Sequence, residues 1–551
     1  MLLAFALMGL VLLVSTYLTP QPPPQPAPKA TPKAVPAPEI TPPSVEKAPS
    51  KRESKAAAKP VAPPPQVVAA KEQITIIETE VFQVQLSNRG GVVNSWILRK
   101  YKDSNGKPLD LVNPKSIGKV VMPLGVRFHE DQPSDKLNHG LYQVTKSTDG
   151  LSVDFEFSDG HWWAKKSLVF GRDSYVVQLS SEVKEGGSTK PHLVYWRGGF
   201  GDSSVLGAAA AQSSVRYDLD QSSLVTLKAE DAKERYQAHR GRFSLAGIAD
   251  AYFAAVAMPE GGREFEIHTL ADPLPTAEDG KDESNAGVAI GGNRVNRFPI
   301  FIGPKDMDLM RSISPNLELL VDYGYFSILA KPLFLALNYL NDHYFNNYGW
   351  TIVFITVVIN FLLVPLKITS LKSMKKMSVI QPQIKAINDK YRGMSMTDPR
   401  KQQQNQEVMD LYKKHGVNPM GGCLPIALQL PFFIAFYNVL SSSIELRGAN
   451  WMWIQDLSRL DPYYVLPISM MISQFVMQKM TPSTSPDPTQ QKMMLLMPLF
   501  FGFIFLKAAS GLVLYWLTGN LVGIAQQVFF NKITPAPVPA AVPAPSKKSR
   551  K

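Results

Sequence analysis

From residue 73 onward polar and apolar side chains alternate with a period of two. Phe82, Val84 and Leu86 fall on one side, Gln83 and Gln85 on the other, and the run breaks at Asn88, Arg89, Gly90 and Gly91. Alternation ended by a glycine-bearing break predicts a half-buried antiparallel strand and its turn. Leu151, Val153, Phe155 and Phe157 repeat the pattern against Ser152, Asp154, Glu156 and Ser158, ahead of Asp159 and Gly160, and residues 175–183 offer a further strand. Repeated over 73–304, it predicts a large β-sandwich, with loops at 207–211 and 278–285.

After residue 304 the period becomes helical. Leu320, Phe326, Leu329, Leu333, Leu337 and Leu340 stand against Asp322, Lys331 and Asp342, with Pro332 as a kink. This predicts an amphipathic helix over 317–346, either lying in the outer membrane interface or docked on the sheet. Five apolar segments follow, at 348–366, 423–444, 463–480, 493–506 with its flanks, and 512–530. Each approaches the roughly 20 residues that a bilayer core of about 30 Å requires. Residues 1–19 form a sixth apolar segment. They read as an uncleaved first anchor rather than a signal peptide, because no small-x-small site follows and no basic region precedes them. Residues 20–70, rich in Pro, Ala and Lys, read as an extended tether that makes the sandwich separable.

Charge sets the orientation. The net charge of +12 concentrates in the insert 367–422 and in the tail 534–551. The insert carries Lys367, Lys372, Lys375, Lys376, Lys385, Lys390, Arg392, Arg400, Lys401, Lys413 and Lys414 against Asp389, Asp398, Glu407 and Asp410. Positive-inside asymmetry places it in the cytoplasm, the sandwich outside and, by parity, both termini in the cytoplasm. Within the insert Leu371, Met374, Met377, Ile380, Ile384, Ile387 and Tyr391 recur by threes and fours, and a second helix over about 402–414 follows a polar turn. Together they predict an antiparallel coiled-coil hairpin, a pattern that Pro382 weakens, with Lys375, Lys376, Lys385, Lys390 and Arg392 as its basic residues. Cys423 is the single cysteine, so no internal disulfide forms.

The predicted spans contain no His, Asp or Glu, the nearest carboxylate being Glu445 at a helix end. Proton-coupled transport and intramembrane proteolysis both need groups that change charge at depth, and the chain also lacks a Walker loop, HExxH and GxSxG. Neither an enzyme nor a metal or other cofactor is expected. The spans carry uncharged polarity instead, in Thr356, Asn360, Gln429, Asn438, Gln474, Thr518, Asn520 and Gln526. Thr356 and Asn360 lie one turn apart, and Lys367 lies two turns beyond, on the same helical face. Two readings follow. Asn360 hydrogen-bonds a neighbouring helix while Lys367 snorkels to the cytoplasmic headgroups, or the three line a wet groove open to cytoplasm and lipid.

Several stretches resemble one family. Asn418-Pro419-Met420-Gly421-Gly422-Cys423-Leu424-Pro425, Asp461-Pro462-Tyr463-Tyr464, Gln478-Lys479-Met480-Thr481-Pro482 and Ser510-Gly511-Leu512-Val513-Leu514-Tyr515-Trp516 are similar to the core of the YidC/Oxa/Alb insertases. Tyr323-Gly324 and Asn347-Tyr348-Gly349-Trp350 resemble the entry to that core, and 73–91 the start of the periplasmic domain of its Gram-negative members. The resemblance implies a polytopic α-helical membrane protein with six transmembrane helices, a five-helix conserved core over 347–533 and a periplasmic β-sandwich over 71–316. It implies an insertase and chaperone that works without nucleotide, alone or with the Sec translocon, through a hydrophilic groove. The implied partners are nascent membrane proteins, the ribosome, the Sec translocon and inner-membrane lipids, with the monomer as the working unit.

On this resemblance the substrate groove contains Thr356, Asn360, Lys367, Gln429, Tyr515, Trp516 and Asn520. One departure matters. The family carries a basic residue, usually Arg, four residues after a Thr in the second span; Thr356 matches, but Asn360 stands at the basic position. Either Asn360 supplies polarity alone, the reading its position favours, or Lys367 reaches back to restore the charge. Trp516 replaces the second Tyr of an aromatic pair begun by Tyr515. The alternative function, a multi-pass channel or transporter with an extracytoplasmic sensor, would call for an internal helix repeat and charged midplane sites, and the sequence shows neither. Because groove and hairpin both follow Leu317, the sandwich is expected to be dispensable for insertion.

Overall fold

The computed structural model describes residues 65–128, 135–205, 208–232, 237–259, 263–275, 282–391, 398–417, 424–481 and 488–533. The expected anchor, most of the linker and the basic tail lie outside them, as does Arg392 of the hairpin.

Strands β1 (Ile74–Glu78), β2 (Phe82–Ser87), β3 (Val92–Lys102) and β4 (Pro108–Asp110) form a four-stranded antiparallel sheet. The period-two pattern is realised directly: Phe82, Val84 and Leu86 are buried while Gln83 and Gln85 stay partly exposed. A second sheet of fourteen strands takes the rest. These are β5 (Val126–Arg127), β6 (Gln143–Lys146), β7 (Ser152–Ser158), β8 (Trp162–Phe170), β9 (Val176–Glu185), β10 (Ser188–Thr189), β11 (His192–Trp196), β12 (Ser213–Asp218), β13 (Ser223–Lys228), β14 (Gln237–Ala249), β15 (Phe253–Ala257), β16 (Glu264–Pro275), β17 (Asp282–Asn293) and β18 (Val295–Pro304).

The long strand β14 divides that sheet into two layers. Residues Gln237 to Arg242 pair with β16, which continues to β17, β11 and β5. Residues Ala246 to Ala249 pair with β15, which continues through β18 and β9 to β8, β7 and β6. Between the layers Trp96 packs against Phe82, Phe170 and Trp196 at ring separations of 5.1, 6.0 and 6.3 Å. Strands β11 and β15 are buried at every residue, so they lose the alternation that marks their neighbours.

One buried cation holds the turn that follows β2. Lys166 of β8 is 2% exposed, and its Nζ donates to the carbonyls of Gly90 at 2.6 Å, Gly91 at 3.1 Å and Leu124 at 2.6 Å. Burial pulls its pKa down to about 7, while three carbonyls satisfy all three N–H groups of the ammonium. Gly90 adopts φ +78°, and a Cβ there would lie 2.3 Å from the Asn138 carbonyl oxygen.

The helical half begins with α1 (Ser327–Leu340), a π turn over Asn341–Phe345, and a bend of 118° into α2 (Tyr348–Leu362). Helix α1 buries Ala330, Phe334 and Leu337 and exposes Ile328, Leu335 and Tyr339. Helix α2 stops at Leu362, short of the 366 read from hydropathy. Pro365 occupies the first turn of α3 (Val364–Lys390), where its missing N–H is tolerated, and a new helix starts there.

Helix α3 runs through Pro382 unbroken and pairs with α4 (Arg400–Lys414). Met377, Ile380 and Ile384 meet Val417, flanked by Val408, Leu411 and Tyr412. Across the pair Gln404 donates to Asn388 at 2.7 Å, and Lys390 and Tyr391 both reach Glu407, at 2.6 and 2.8 Å. Helices α5 (Leu424–Ser442), α6 (Val465–Met480), α7 (Pro488–Phe505) and α8 (Ser510–Ile533) complete the chain. Among the described residues α8, with 24, is the helix long and apolar enough by itself to cross a membrane; α1 and α2 pass only as a bent pair. Ala435, Val439 and Ile444 of α5 and its end join Tyr323, Ala330 and Phe334 in a hydrophobic cluster continuous with the core of the sandwich.

Two glycines with nearly equal φ separate backbone strain from crowding. Gly106, at φ +79°, has open space where a Cβ would go, whereas Gly90 faces the Asn138 carbonyl. Gly106→Ala is expected to cost the β domain about 1 to 2 kcal/mol, the penalty of a left-handed backbone. Gly90→Ala must also displace the turn from Lys166 and should cost at least twice as much. Thermal unfolding of the two variants checks this, and equal losses would contradict it.

Candidate functional site

Helices α2, α3 and α8 meet at a small polar cluster. Thr356 and Asn360 are buried on the face of α2 that packs against α8. Gly519 of α8 lies opposite; a Cβ there would be 3.8 Å from Asn360 Nδ2 and 4.0 Å from Thr356 Cγ2, ordinary contact distances. The Thr356 hydroxyl donates to its own helix, at the Ile352 carbonyl 2.6 Å away. Asn360 Nδ2 likewise donates to the Thr356 carbonyl at 2.8 Å, which leaves Oδ1 as the outward-facing acceptor.

Lys367 fills that acceptor. In a continuous helix seven residues would separate it from Asn360 by about 10 Å along the axis. The break at Leu363 and the four-carbon side chain bring Nζ to 2.7 Å from Asn360 Oδ1. The same ammonium lies 3.1 Å from Gln526 Oε1 of α8, and Gln526 Nε2 donates to the Asn360 main-chain carbonyl at 3.2 Å. Lys367 is therefore folded back against Asn360 instead of extended away from it, which differs from the reading that the position of Asn360 favours, polarity from Asn360 alone. Both acceptors are neutral amides, so the charge is solvated by the protein without being cancelled.

The other polar positions do not join this cluster. Asn520 is buried towards α6, donating to Ser473 Oγ at 3.1 Å and the Met470 carbonyl at 3.4 Å. Trp516 is half-buried, with its indole donating to Gln474 at 3.3 Å and its ring edge-on to Phe433 and Phe505 at 4.8 and 5.0 Å. Tyr515 is buried and stacked on Phe436 at 4.3 Å. Gln429 is exposed on α5, and Asn438 ties α5 to the segment before α1 through the Tyr323 carbonyl at 2.8 Å. The structure thus brings together Thr356, Asn360 and Lys367, sets Asn520 and Trp516 on a second face, and adds Gln526. That residue had drawn notice only as one more amide in an apolar run. Nothing local in the sequence points to Ser473.

The hairpin leans on the same bundle. Lys375 is half-buried with its ammonium 4.6 Å from the centre of the Phe530 ring on α8, whereas Lys376 and Lys385 are exposed and Lys390 is paired with Glu407. At the opposite end Asp461 is buried and caps α6. It accepts from Tyr463 N at 3.0 Å, Leu466 N at 2.7 Å and the Trp453 indole at 3.1 Å.

The chain matches two protein families. The one described as 60Kd inner membrane protein covers residues 340–537, and the one described as YidC periplasmic domain covers residues 74–336. It is 34% identical over 467 residues to the membrane protein insertase YidC of Cupriavidus necator, covering 83% of this chain and 82% of that one. The corresponding protein of Ralstonia nicotianae is 33% identical, with 84% of each chain covered, and that of Geotalea daltonii is 33% identical, with 86% and 89% covered. A crystal structure of an active YidC insertase aligns over 84% of this chain and 93% of its own at 19% identity, with a TM-score of 0.36.

Proposed function

The chain belongs to the YidC family of membrane protein insertases, and from that premise we propose that it passes the polar ends of its substrates through the pocket where Lys367 meets Asn360 and Gln526. It is an inner-membrane protein insertase and not an enzyme; its substrates are nascent membrane proteins, and its β-sandwich is a periplasmic domain.

The observation that carries the proposal is the Lys367 ammonium held by two neutral amides. A hydrophilic segment leaving water loses its hydrogen bonds, at a cost of several kcal/mol for each polar group left unmet. Here an incoming carboxylate exchanges a neutral amide acceptor of Lys367 for itself, turning a bond from an ammonium to a neutral oxygen into an ion pair. The freed amide of Asn360 or Gln526 remains available to the next polar group. The apolar remainder of the substrate then partitions sideways into lipid, and no fuel is consumed. Trp516, half-buried beside Phe433 and Phe505, is the aromatic side chain assigned to the passing segment. Tyr515, stacked on Phe436, is assigned to packing. Thr356 and Asn520, both buried, supply polarity to the two faces, and Gln429 is exposed on α5.

The proposed topology has six spans, with residues 1–19 as the anchor, α2, α5, α6, α7 and α8 as the five-helix core, and both termini cytoplasmic. Its support is the positive-inside asymmetry of the hairpin. Helix α1 then lies at the outer interface, presenting Ile328, Leu335 and Tyr339 to lipid. The basic hairpin residues Lys375, Lys376, Lys385, Lys390 and Arg392, together with the tail, face the ribosome and anionic headgroups, and the protein works as a monomer, alone or beside the Sec translocon. With Cys423 replaced by Ser, Ser395→Cys is expected to react with an impermeant thiol reagent only from the cytoplasmic side and Asp149→Cys only from the periplasmic side. Either thiol reacting from the opposite side would overturn the topology.

The charge is tested by two substrates differing only in an acidic or a neutral translocated end. Lys367→Gln is expected to slow insertion of the acidic one roughly ten-fold, the worth of one charge-assisted hydrogen bond, and to leave the neutral one within two-fold. Asn360→Arg in the same background should restore the acidic substrate. If both substrates slow equally, the pocket acts by polarity alone.

A further inference from the structure

The segment between α5 and α6 closes one end of the helical bundle. Trp451 and Ile454 exchange two backbone hydrogen bonds of 2.8 Å, and Leu457 N donates to the Ala449 carbonyl at 2.9 Å. Trp451, Ile454 and Leu457 are buried in the same hydrophobic cluster as Ile352 of α2 and Leu512 and Val513 of α8. The first turn of α8 is tied to this segment as well, because Gly511 N donates to the Leu457 carbonyl at 2.9 Å and Ser510 Oγ to the Arg459 carbonyl at 2.7 Å. These contacts use donors that a helix start otherwise leaves without partners.

Two arginines leave that segment and enter the β domain. Arg447 forms an ion pair with Asp202, and the two side chains are 8% and 5% exposed. The same guanidinium donates to the Lys102 carbonyl at 2.9 Å and lies 5.5 and 5.4 Å from the ring centres of Tyr252 and Phe253. Arg459 donates to the carbonyls of Ser104 at 2.7 Å and Asp103 at 3.0 Å. The two gripping points are themselves one unit, because Ser104 N and Oγ bond Ser204 Oγ and O at 2.8 and 3.0 Å and the two hydroxyls are 2.6 Å apart.

We propose that Asp202, with the carbonyls of Lys102, Asp103 and Ser104, positions the segment between α5 and α6, so that the β domain and the closed end of the bundle move as one body. An almost waterless ion pair cannot open on one side without stranding the other charge, and a guanidinium fork fixes direction as well as distance. The β domain is then a fixed part of the insertase rather than a module carried on a flexible tether. The proposal concerns the closed end of the bundle and stands apart from the pocket at Lys367.

Hydrogen–deuterium exchange on the full-length protein in lipid nanodiscs tests it without an insertion assay, so its failure is distinct from failure of the pocket reading. Asp202→Asn removes the charge at the far partner, 245 residues from Arg447 in sequence. It is expected to raise exchange of the amides of Trp451, Ile454, Leu457 and Gly511 at least ten-fold while β8 and β9 keep native protection, and Asp202→Glu should recover most of the loss. Native exchange at those four amides in Asp202→Asn would overturn the proposal. Should Asp202→Asn also loosen β8 and β9, Arg447→Lys decides. It keeps the charge but not the fork, and faster exchange confined to those four amides supports the proposal, whereas native exchange there overturns it.

Discussion

An ammonium group taken out of water must be given acceptors, and those of Lys367 come from two amides on different helices, Asn360 of α2 and Gln526 of α8. The arrangement depends on two features of the backbone around it. Pro365 starts a new helix, so that Lys367 is not carried a further two turns along α2. The Asn360 main-chain carbonyl receives Gln526, which fixes the second amide where the ammonium can use it. Lys166, one of the buried lysines of the β domain, makes an instructive contrast. Lys166 is held by three main-chain carbonyls that cannot move without unfolding a turn, so its charge is structural. The acceptors of Lys367 are side-chain amides, each anchored by one further hydrogen bond, from Asn360 Nδ2 to the Thr356 carbonyl and from Gln526 Nε2 to the Asn360 carbonyl.

The same principle, that a buried charge commits the groups around it, joins the two halves of the molecule. The hydrophobic core of the sandwich continues without a gap through Tyr323, Ala330 and Phe334 into Ala435 and Val439 of α5. Around that seam Arg447 and Arg459 reach into the β domain. A domain joined only by a Pro-rich tether would be expected to swing freely; one that shares a core and a buried ion pair with the helices is fixed in place.

The parts of this architecture that were legible in the sequence are those in which one face is wet and the other dry. Phe82 to Leu86 and Leu151 to Phe157 alternate because their strands lie at the surface of the sandwich. Met377, Ile380 and Ile384 repeat by threes and fours because α3 meets α4 along a single seam. Strand β11 could not be read in this way, since all five of its residues are buried and no period remains. The division of the large sheet at β14 was also hidden, because it depends on which partner each half of that strand finds. Within the pocket, the one-turn spacing of Thr356 and Asn360 placed them on one face. The direction taken by Lys367 did not follow from spacing, because snorkelling and folding back use the same rotatable side chain and are separated only by where Gln526 stands. Arg447 and Arg459 carry no local signal in the sequence, and only the tertiary fold supplies Asp202 and the 103–104 carbonyls.

In the proposed route a substrate's acidic end meets the Lys367 ammonium beside Gln526. The most direct measurement is site-specific photocrosslinking from position 526 to a ribosome-stalled substrate whose translocated end carries either Asp or Asn, in the native protein and in Lys367→Gln. The Asp-bearing end is expected to crosslink more strongly in the native protein, and this preference to disappear in Lys367→Gln. Equal crosslinking of the two ends in both backgrounds would contradict it.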